Sequence, residues 1–112
     1  MLPSRWRLKD KKEFQLVLKK GNRLFGDLVI IRYSKQNKEN KCAVIVSTKV
    51  SKNAVDRNRV KRLIRENMRK KFLLKMAGVW LVIIAKKDII DKTFDQIGLE
   101  LQHLFKVRGL ID

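Results

Sequence analysis

The sequence has few of the residues that build disulfides, metal sites or a hydrolytic centre. Cys42 is the only cysteine and His103 the only histidine among 112 residues. One cysteine excludes an internal disulfide, and the two residues together are too few for a zinc site of the usual type. No serine, histidine and acid set, no metal-binding cluster and no phosphate-binding glycine loop is visible. The sequence therefore disfavours bond cleavage by the protein itself and predicts that Cys42, in an apolar run, is a core residue.

Long apolar runs and acidic residues are also scarce. The longest apolar run covers only residues 79–85, far short of the roughly 20 residues that a membrane-spanning helix needs. No secretory signal is visible at the N-terminus, so we expect the protein to stay in the cytoplasm. Only 11 Asp and Glu face 28 Lys and Arg, a net charge of +17. This excess favours a polyanionic partner, with nucleic acid first and an anionic membrane second.

The length and composition fit one domain. Hydrophobic residues make up 45% of the chain, enough for one modest core, and no repeat or linker divides residues 1–112. We expect residues 1–8, which contain the one proline, to form a loose N-terminal segment. The whole chain is then a single domain that binds through its surface charge.

Capping residues, stop signals and β-rich runs predict the order of helices and strands. Asp10 and Glu13 are a capping pair for the first helix, and Thr93 with Gln96 is one for the last. The predicted elements are a helix at 11–20, a short strand near 24–25, strands at 28–33 and 42–48, a helix at 54–75, a strand at 79–85 and a helix from 94 to before Gly109. This order predicts an α+β sandwich of the form αβββαβα with one mixed sheet.

The segment after Asn53 is the most informative part of the chain. Ten basic residues lie between positions 52 and 75, against only Asp56 and Glu66. At about 100° per residue, Val60 and Ile64 fall on one side of a helix and most cations on a broad opposite arc. Like charges at i and i+4 disfavour an isolated helix but suit one that binds phosphates between them. The arc contains Arg57, Asn58, Lys61, Arg62, Arg65 and Arg69.

This segment closely resembles the signature of the bacterial ribonuclease P protein family. The family pattern is Ala-Val-x-Arg-Asn-Arg-hydrophobic-Lys-Arg-x-x-Arg-Glu, and residues 54–66 match it throughout. Three further matches are Arg7-Leu8-Lys9 with Phe14 and Gly21, Val82-Ile83-Ile84-Ala85-Lys86, and Leu101-Gln102-His103-Leu104-Phe105. The resemblance covers nearly the whole chain in the family's order.

The resemblance implies a noncatalytic protein subunit of an endoribonuclease whose active site is in its RNA. That RNA removes the 5′ leader of precursor tRNA with magnesium that it holds itself. The implied partners are the catalytic RNA and the leader, the protein being monomeric and without a membrane partner. The resemblance also implies a left-handed βαβ crossover, whereas such units are right-handed in about 98% of cases on general grounds.

The resemblance also implies two sets of site residues. Arg57, Asn58 and Lys61 lie where the helix meets the catalytic RNA and its metal ions, and other cations dock the protein on that RNA. The full RNA-binding set is Lys49, Lys52, Arg57, Asn58, Arg59, Lys61, Arg62, Arg65 and Arg69. A cleft between the first helix and the sheet holds the leader, and its residues here are Phe14, Leu18, Tyr33 and Lys86. Phe14 taken alone fits a core residue as well as a leader contact.

Two other classes of nucleic-acid protein are open to so basic a chain. A structural ribosomal protein or an RNA chaperone is the main alternative. A DNA-binding regulator fits less well, because a short helix packed before the recognition helix is expected there, whereas strands precede the basic helix in this chain.

Overall fold

The computed structural model describes residues 2–112, and its elements follow the predicted order. They are α1 (Lys11–Lys20), β1 (Asn22–Phe25), β2 (Val29–Lys35), β3 (Lys41–Ile45), α2 (Ala54–Asn67), β4 (Val79–Ala85) and α3 (Phe94–Val107). The predicted α+β class, the order αβββαβα and the mixed sheet are confirmed.

The four strands form one sheet in the order β1-β2-β4-β3. Strand β2 pairs antiparallel with both β1 and β4, whereas β3 and β4 are parallel. Because α2 connects these parallel neighbours, β3, α2 and β4 form the predicted βαβ unit. The left hand of this crossover stays a prediction from the resemblance.

Helix α1 begins and ends where its sequence signals predict, but only half of the predicted capping pair forms. The Asp10 side chain accepts hydrogen bonds from the backbone N–H groups of Lys12 and Glu13. The Glu13 carboxylate turns away and pairs with Lys41 Nζ at 3.0 Å. Glu13 therefore ties α1 to β3 instead of closing the capping box.

The basic helix changes its geometry after Asn67. The chain continues to Lys75 as predicted, but as a π-helical turn over Met68–Phe72 and a 3-10 turn over Leu73–Lys75. The fully buried Asn67 side chain donates to the carbonyls of Leu63 and Phe94, at 3.0 and 3.1 Å. The wider turn keeps Met68 and Phe72 facing the core, where both are buried.

The expectation of a loose N-terminal segment is wrong for residues 2–8. The side chains of Leu2 and Leu8 are buried. Arg7 forms a parallel bridge with Cys42, and the Leu8 N–H donates to the Cys42 carbonyl at 3.0 Å. Strand β3 is at the edge of the sheet, so this segment satisfies part of its free edge while burying apolar side chains.

The sheet has an apolar cluster on each face. Side chains from alternate positions, such as Ile31 of β2 and Ile83 of β4, pack under α2 and α3 in the larger cluster. On the opposite face, Val17 of α1 packs against Val82 of β4 in the smaller one. Cys42 lies in the larger cluster, where burial raises the pKa of its thiol to about 12. It is a neutral core residue, as predicted.

Candidate nucleic-acid interface

Helix α2 is fixed to the sheet on one side and open on the other. Its first turn is capped by Asn53, whose side chain accepts from the Val55 N–H at 2.9 Å. Asp56 adds a negative charge to that turn, where the helix dipole favours it. Val60 and Ile64 are fully buried under the helix. The predicted apolar side is thereby confirmed, and the opposite side faces away from the core.

The cations of α2 lie in separate lines along the helix. Arg57, Lys61 and Arg65 follow one another at i, i+4 and i+8 and are half-buried along one flank. The neighbouring line contains Asn58 and Arg62, both exposed. Among residues 2–112, no carboxylate lies within salt-bridge distance of any cation in these two lines. We call Arg57, Asn58, Lys61, Arg62 and Arg65 the α2 cation face.

Two members of this face are held in position by the protein. The Arg57 Nη1 donates to the Ser51 carbonyl at 2.9 Å, which orients a guanidinium whose other N–H donors remain available. Arg65 lines a small surface cavity of about 150 Å³ together with Arg7 and Ala43. This places Arg65 on the side of α2 nearest β3. The flank therefore continues from the helix toward the sheet.

Arg59 is also a residue of α2, but its guanidinium does not belong to the α2 cation face. Its two terminal nitrogens donate to the carbonyls of Ile90 and Lys92, each at 3.1 Å. The side chain thus ties α2 to the segment that precedes α3. Its place in the sequence motif gave no sign of this intramolecular role.

Arg69 also differs from the rest of the predicted arc. Its guanidinium forms a bidentate pair with Glu66, at 3.2 and 2.8 Å. This guanidinium holds the pKa of Glu66 down to about 2, so the carboxylate stays charged at neutral pH. Lys70 Nζ lies 3.7 Å from the same carboxylate. The positive charge of the arc is therefore partly neutralised at this end of the helix.

Lys49 and Lys52 lie in the segment between β3 and α2, and both are exposed. Val50 between them is buried and anchors the segment, and its N–H donates to the Ser47 carbonyl at 3.0 Å. The two lysines thus extend the positive surface beyond the first turn of α2.

The second candidate surface lies where α1 crosses the sheet. Phe14 and Leu18 are half-buried on α1 and pack against the cluster that contains Trp80 and Val82. Their side chains are therefore partly core and partly surface. This agrees with both alternatives that the sequence left open for Phe14.

Tyr33 does not lie in this cleft with Phe14, so the position that the resemblance implied for it is wrong. Its side chain is only 4% exposed and belongs to the cluster on the opposite face of the sheet. Its hydroxyl accepts from Arg108 Nη1 at 3.3 Å. Successive residues of a strand point to opposite faces, so the adjacent residue Arg32 faces α1 instead. Arg32 Nη2 donates to the Gly21 carbonyl at the end of α1, at 3.1 Å.

Arg32 was missed because the β2 sequence has apolar residues on both faces. Ile30 and Ile31 are adjacent, so a strict alternation of apolar and polar residues is absent at the start of the strand. In the folded protein Val29, Ile31 and Tyr33 are the buried residues of β2, and this alternating burial identifies the core face.

Lys86 lies just beyond β4, near the turn between β1 and β2. Its Nζ donates to the Gly26 carbonyl at 3.1 Å, and the side chain is exposed. Glu100 of α3 holds the same turn, since its carboxylate accepts from the N–H groups of Asp27, Leu28 and Val29 at 2.8 to 3.1 Å. This carboxylate is a fixed anion of the fold and not part of a solvated acidic face.

In residues 2–112, no group of three or more His, Cys, Asp or Glu side chains is arranged to hold a metal ion. Within the same part of the chain, no helix is both long and apolar enough to cross a membrane.

Comparisons of the sequence and of the structure with known proteins all identify the same family. The model of the Ribonuclease P family matches residues 2–108. The ribonuclease P protein component of Bacillus velezensis is 38% identical over 112 residues, with 97% of this chain and 94% of the relative covered. That of Clostridium kluyveri is 35% identical over 108 residues, covering 94% and 96%. The solved RNase P protein of Staphylococcus aureus has a TM-score of 0.81 at 28% identity, over 96% of this chain and 98% of that one.

Proposed function

Because the chain belongs to the ribonuclease P protein family, we propose that α2 binds the catalytic RNA and that the sheet face beside α1 binds the 5′ leader of precursor tRNA. The chain is the protein subunit of ribonuclease P, an endoribonuclease of tRNA 5′ maturation. A structural ribosomal protein or RNA chaperone is not favoured by these relatives.

The α2 cation face is the observation that carries the first half of the proposal. Arg57, Lys61 and Arg65 form one line with no carboxylate partner in residues 2–112. Guanidinium groups hold phosphates by paired hydrogen bonds, and the lysine adds a point charge. Lys49 and Lys52 extend the contact past the start of the helix. We assign Arg59 a positioning role, since it bonds to two carbonyls of the protein.

The sheet face beside α1 suits a single strand. Unpaired bases stack on aromatic rings and on guanidinium planes without requiring a particular sequence. Phe14 offers a half-buried ring, Leu18 an apolar edge, and Arg32 a guanidinium on the same face. Lys86 supplies a further charge at the end of β4. In this proposal Arg32 takes the place in the cleft that the resemblance had implied for Tyr33.

The residues around α2 do not fit a protein magnesium site. Magnesium prefers carboxylate oxygens and water, and the two acids of this helix already have other partners. Asp56 accepts from the Ser51 hydroxyl at 3.3 Å, and Glu66 pairs with Arg69. We therefore assign magnesium to the RNA subunit. The protein lowers the magnesium requirement by screening phosphate charge.

We also propose that the protein is cytoplasmic and acts as a monomer. Bacterial tRNA is transcribed and processed in the cytoplasm, so its 5′ maturation belongs there. The net charge of +17 opposes self-association of the free protein.

Reconstitution tests the proposed function. The protein, mixed with a bacterial ribonuclease P RNA and precursor tRNA at low magnesium, should produce cleavage at the mature 5′ end. Protein freed of all RNA should give no cleavage, because no metal cluster is formed in residues 2–112. The products are resolved by gel electrophoresis and the cleavage site by primer extension. RNA alone that cleaves equally well under these conditions would refute the assisting role.

Phe14→Ala tests the leader surface. Stacking on one base contributes about 1–3 kcal/mol, so the holoenzyme should bind precursor tRNA about 5- to 150-fold more weakly. Binding of mature tRNA, which has no leader, should be unchanged.

Leu16→Ala is the matched control, because it removes another half-buried apolar side chain of α1. If Phe14 is only a core residue, its replacement lowers the melting temperature and weakens both ligands equally. That result would remove Phe14 from the leader surface.

A further inference from the structure

A row of apolar side chains crosses the sheet next to α1. Phe25 of β1 pairs directly with Ile30 of β2, Ile30 with Ile84 of β4, and Ile84 with Ile45 of β3. Side chains that are directly paired across neighbouring strands project from the same face. Ile84 and Ile45 pack against the cluster under α1, which identifies that face. We call Phe25, Ile30, Ile84 and Ile45 the apolar row.

The apolar row is only partly covered. Its three isoleucines are half-buried, and Phe25 is 68% exposed. The neighbouring residue Leu24 projects from the other face of β1 and is buried in the core. A single exposed apolar side chain is ordinary on a protein surface, but this ring ends a continuous row that spans all four strands. At about 4.8 Å per strand, the row is roughly 14 Å long.

Cations surround the exposed end of the row. Arg23 lies two residues before Phe25, on the same face of β1, and pairs directly with Arg32 of β2. Lys86 Nζ bonds to the carbonyl of Gly26, the residue after Phe25. Of the acids near Lys86, Glu100 is held by three backbone N–H groups. Asp27, Asp88 and Asp91 are exposed and line a surface cavity with Lys86, on the side of the turn that faces α3. On the face that carries Phe25, the end of the row is therefore an aromatic ring beside the paired cations Arg23 and Arg32.

The other end of the row leads to α2. Ile45 is the last residue of β3, and the chain runs from there through Lys49 and Lys52 into the α2 cation face. In the function proposed above, α2 contacts the catalytic RNA, where the precursor is cut. A leader that enters the row near Ile45 thus reaches β1 with nucleotides farther from the cleavage site.

We infer that the leader path continues past α1 along the apolar row, and that Phe25 stacks on a leader base while Arg23, Arg32 and Lys86 hold the adjacent phosphates. This inference rests on the proposed function. An aromatic face flanked by cations is the arrangement that binds single strands without sequence readout. A second copy of this chain is a poorer occupant, because it would bring the same positive charge to the same place.

Leader length provides the test. Holoenzyme reconstituted with Phe25→Ala should bind precursor tRNA with a leader of about 12 nucleotides about 5- to 150-fold more weakly than the unaltered holoenzyme. With a leader of about two nucleotides, which is below the smallest footprint of roughly four in single-strand grooves, the two affinities should be equal. Mature tRNA should also show no difference. Affinities are measured by filter binding in calcium, which slows cleavage.

Two further substitutions separate stacking from burial. Phe25→Tyr keeps the flat ring and should bind the long leader as the unaltered protein does, whereas Phe25→Leu keeps an apolar side chain and should bind it more weakly. Leu99→Ala is the control, because Leu99 is a comparably exposed apolar residue on α3, at 67%. It should change none of the three affinities. Melting curves of all variants should coincide, since Phe25 is outside the core.

Each other result overturns the inference. Equal affinity of Phe25→Ala and unaltered holoenzyme for the long leader removes β1 from the path. An equal loss for long, short and absent leaders assigns Phe25 to the catalytic RNA or to folding. Phe14→Ala, measured in parallel, shows whether only the extension of the leader path to β1 fails or the proposed leader cleft as a whole. If Phe14→Ala weakens long-leader binding and Phe25→Ala does not, the cleft stands and only its extension to β1 is wrong.

Discussion

Replacing Arg57, Lys61 and Arg65 together by alanine should weaken binding of the catalytic RNA by roughly 100- to 500-fold at 0.1 M monovalent salt. Each phosphate contact contributes about 0.7 to 0.9 to the slope of log affinity against log salt concentration, so three contacts contribute about 2.1 to 2.7. The slope itself should become shallower by that amount. Titrations of labelled RNA at several salt concentrations measure both quantities.

The control for this variant removes the same charge elsewhere. Lys75, Lys87 and Lys106 are exposed and lie outside the α2 cation face, so their triple replacement by alanine leaves that face complete. It should change the salt slope far less. Circular dichroism is needed for both proteins, because Arg57→Ala also removes the hydrogen bond to the Ser51 carbonyl. A folded α2 variant with unchanged affinity and slope would contradict the assignment of this helix.

Phe105→Ala should lower the free energy of unfolding by about 3–5 kcal/mol. Phe105 is fully buried on α3, and its ring meets that of Phe72 edge-to-face at 5.2 Å. The substitution therefore leaves a cavity between α3 and the segment that follows α2. Small domains have a total stability of about 5–15 kcal/mol. Urea unfolding followed by tryptophan fluorescence measures the change.

Two comparisons identify the cause of this loss. Phe105→Leu retains most of the apolar volume and should be destabilised less than Phe105→Ala. Catalytic RNA at 100 times its dissociation constant should restore about 2.7 kcal/mol to either variant, because it binds the folded state. Equal stability of Phe105→Ala and the unaltered protein would show that the pocket around this ring collapses without cost.

Sequence signals predicted well the elements that depend on neighbouring residues. Helix α1 begins after Asp10 and ends before Gly21, and the apolar run at residues 79–85 forms β4. Thr93 and Gln96 form a complete capping box at the start of α3. Capping bonds and helical periodicity join residues that lie within one or two turns of each other, so a sequence displays them directly. The apolar and cationic sides of α2 were predictable for the same reason.

Contacts between distant elements were not predictable in this way. Arg59 was grouped with the other cations because of its motif, yet its donors are used by carbonyls more than 30 residues later. Glu100 holds a turn more than 70 residues earlier, and no motif around it in the sequence indicates this. Neither partner is a side chain, so no complementary residue in the sequence marks the bond.

The sequence by itself determined the family, the order of elements and the charge of α2, because these are properties of local spacing and composition. Only the tertiary structure decided which face of the sheet each side chain joins. A strand alternates its faces with every residue, and β2 and β4 are apolar on both, so the pattern alone does not distinguish the faces. The faces are set by packing: α1 covers the face that carries Val82, and α3 covers the face that carries Ile31. This packing buries Tyr33 and leaves Arg32 and Phe25 on the face that we propose for the leader.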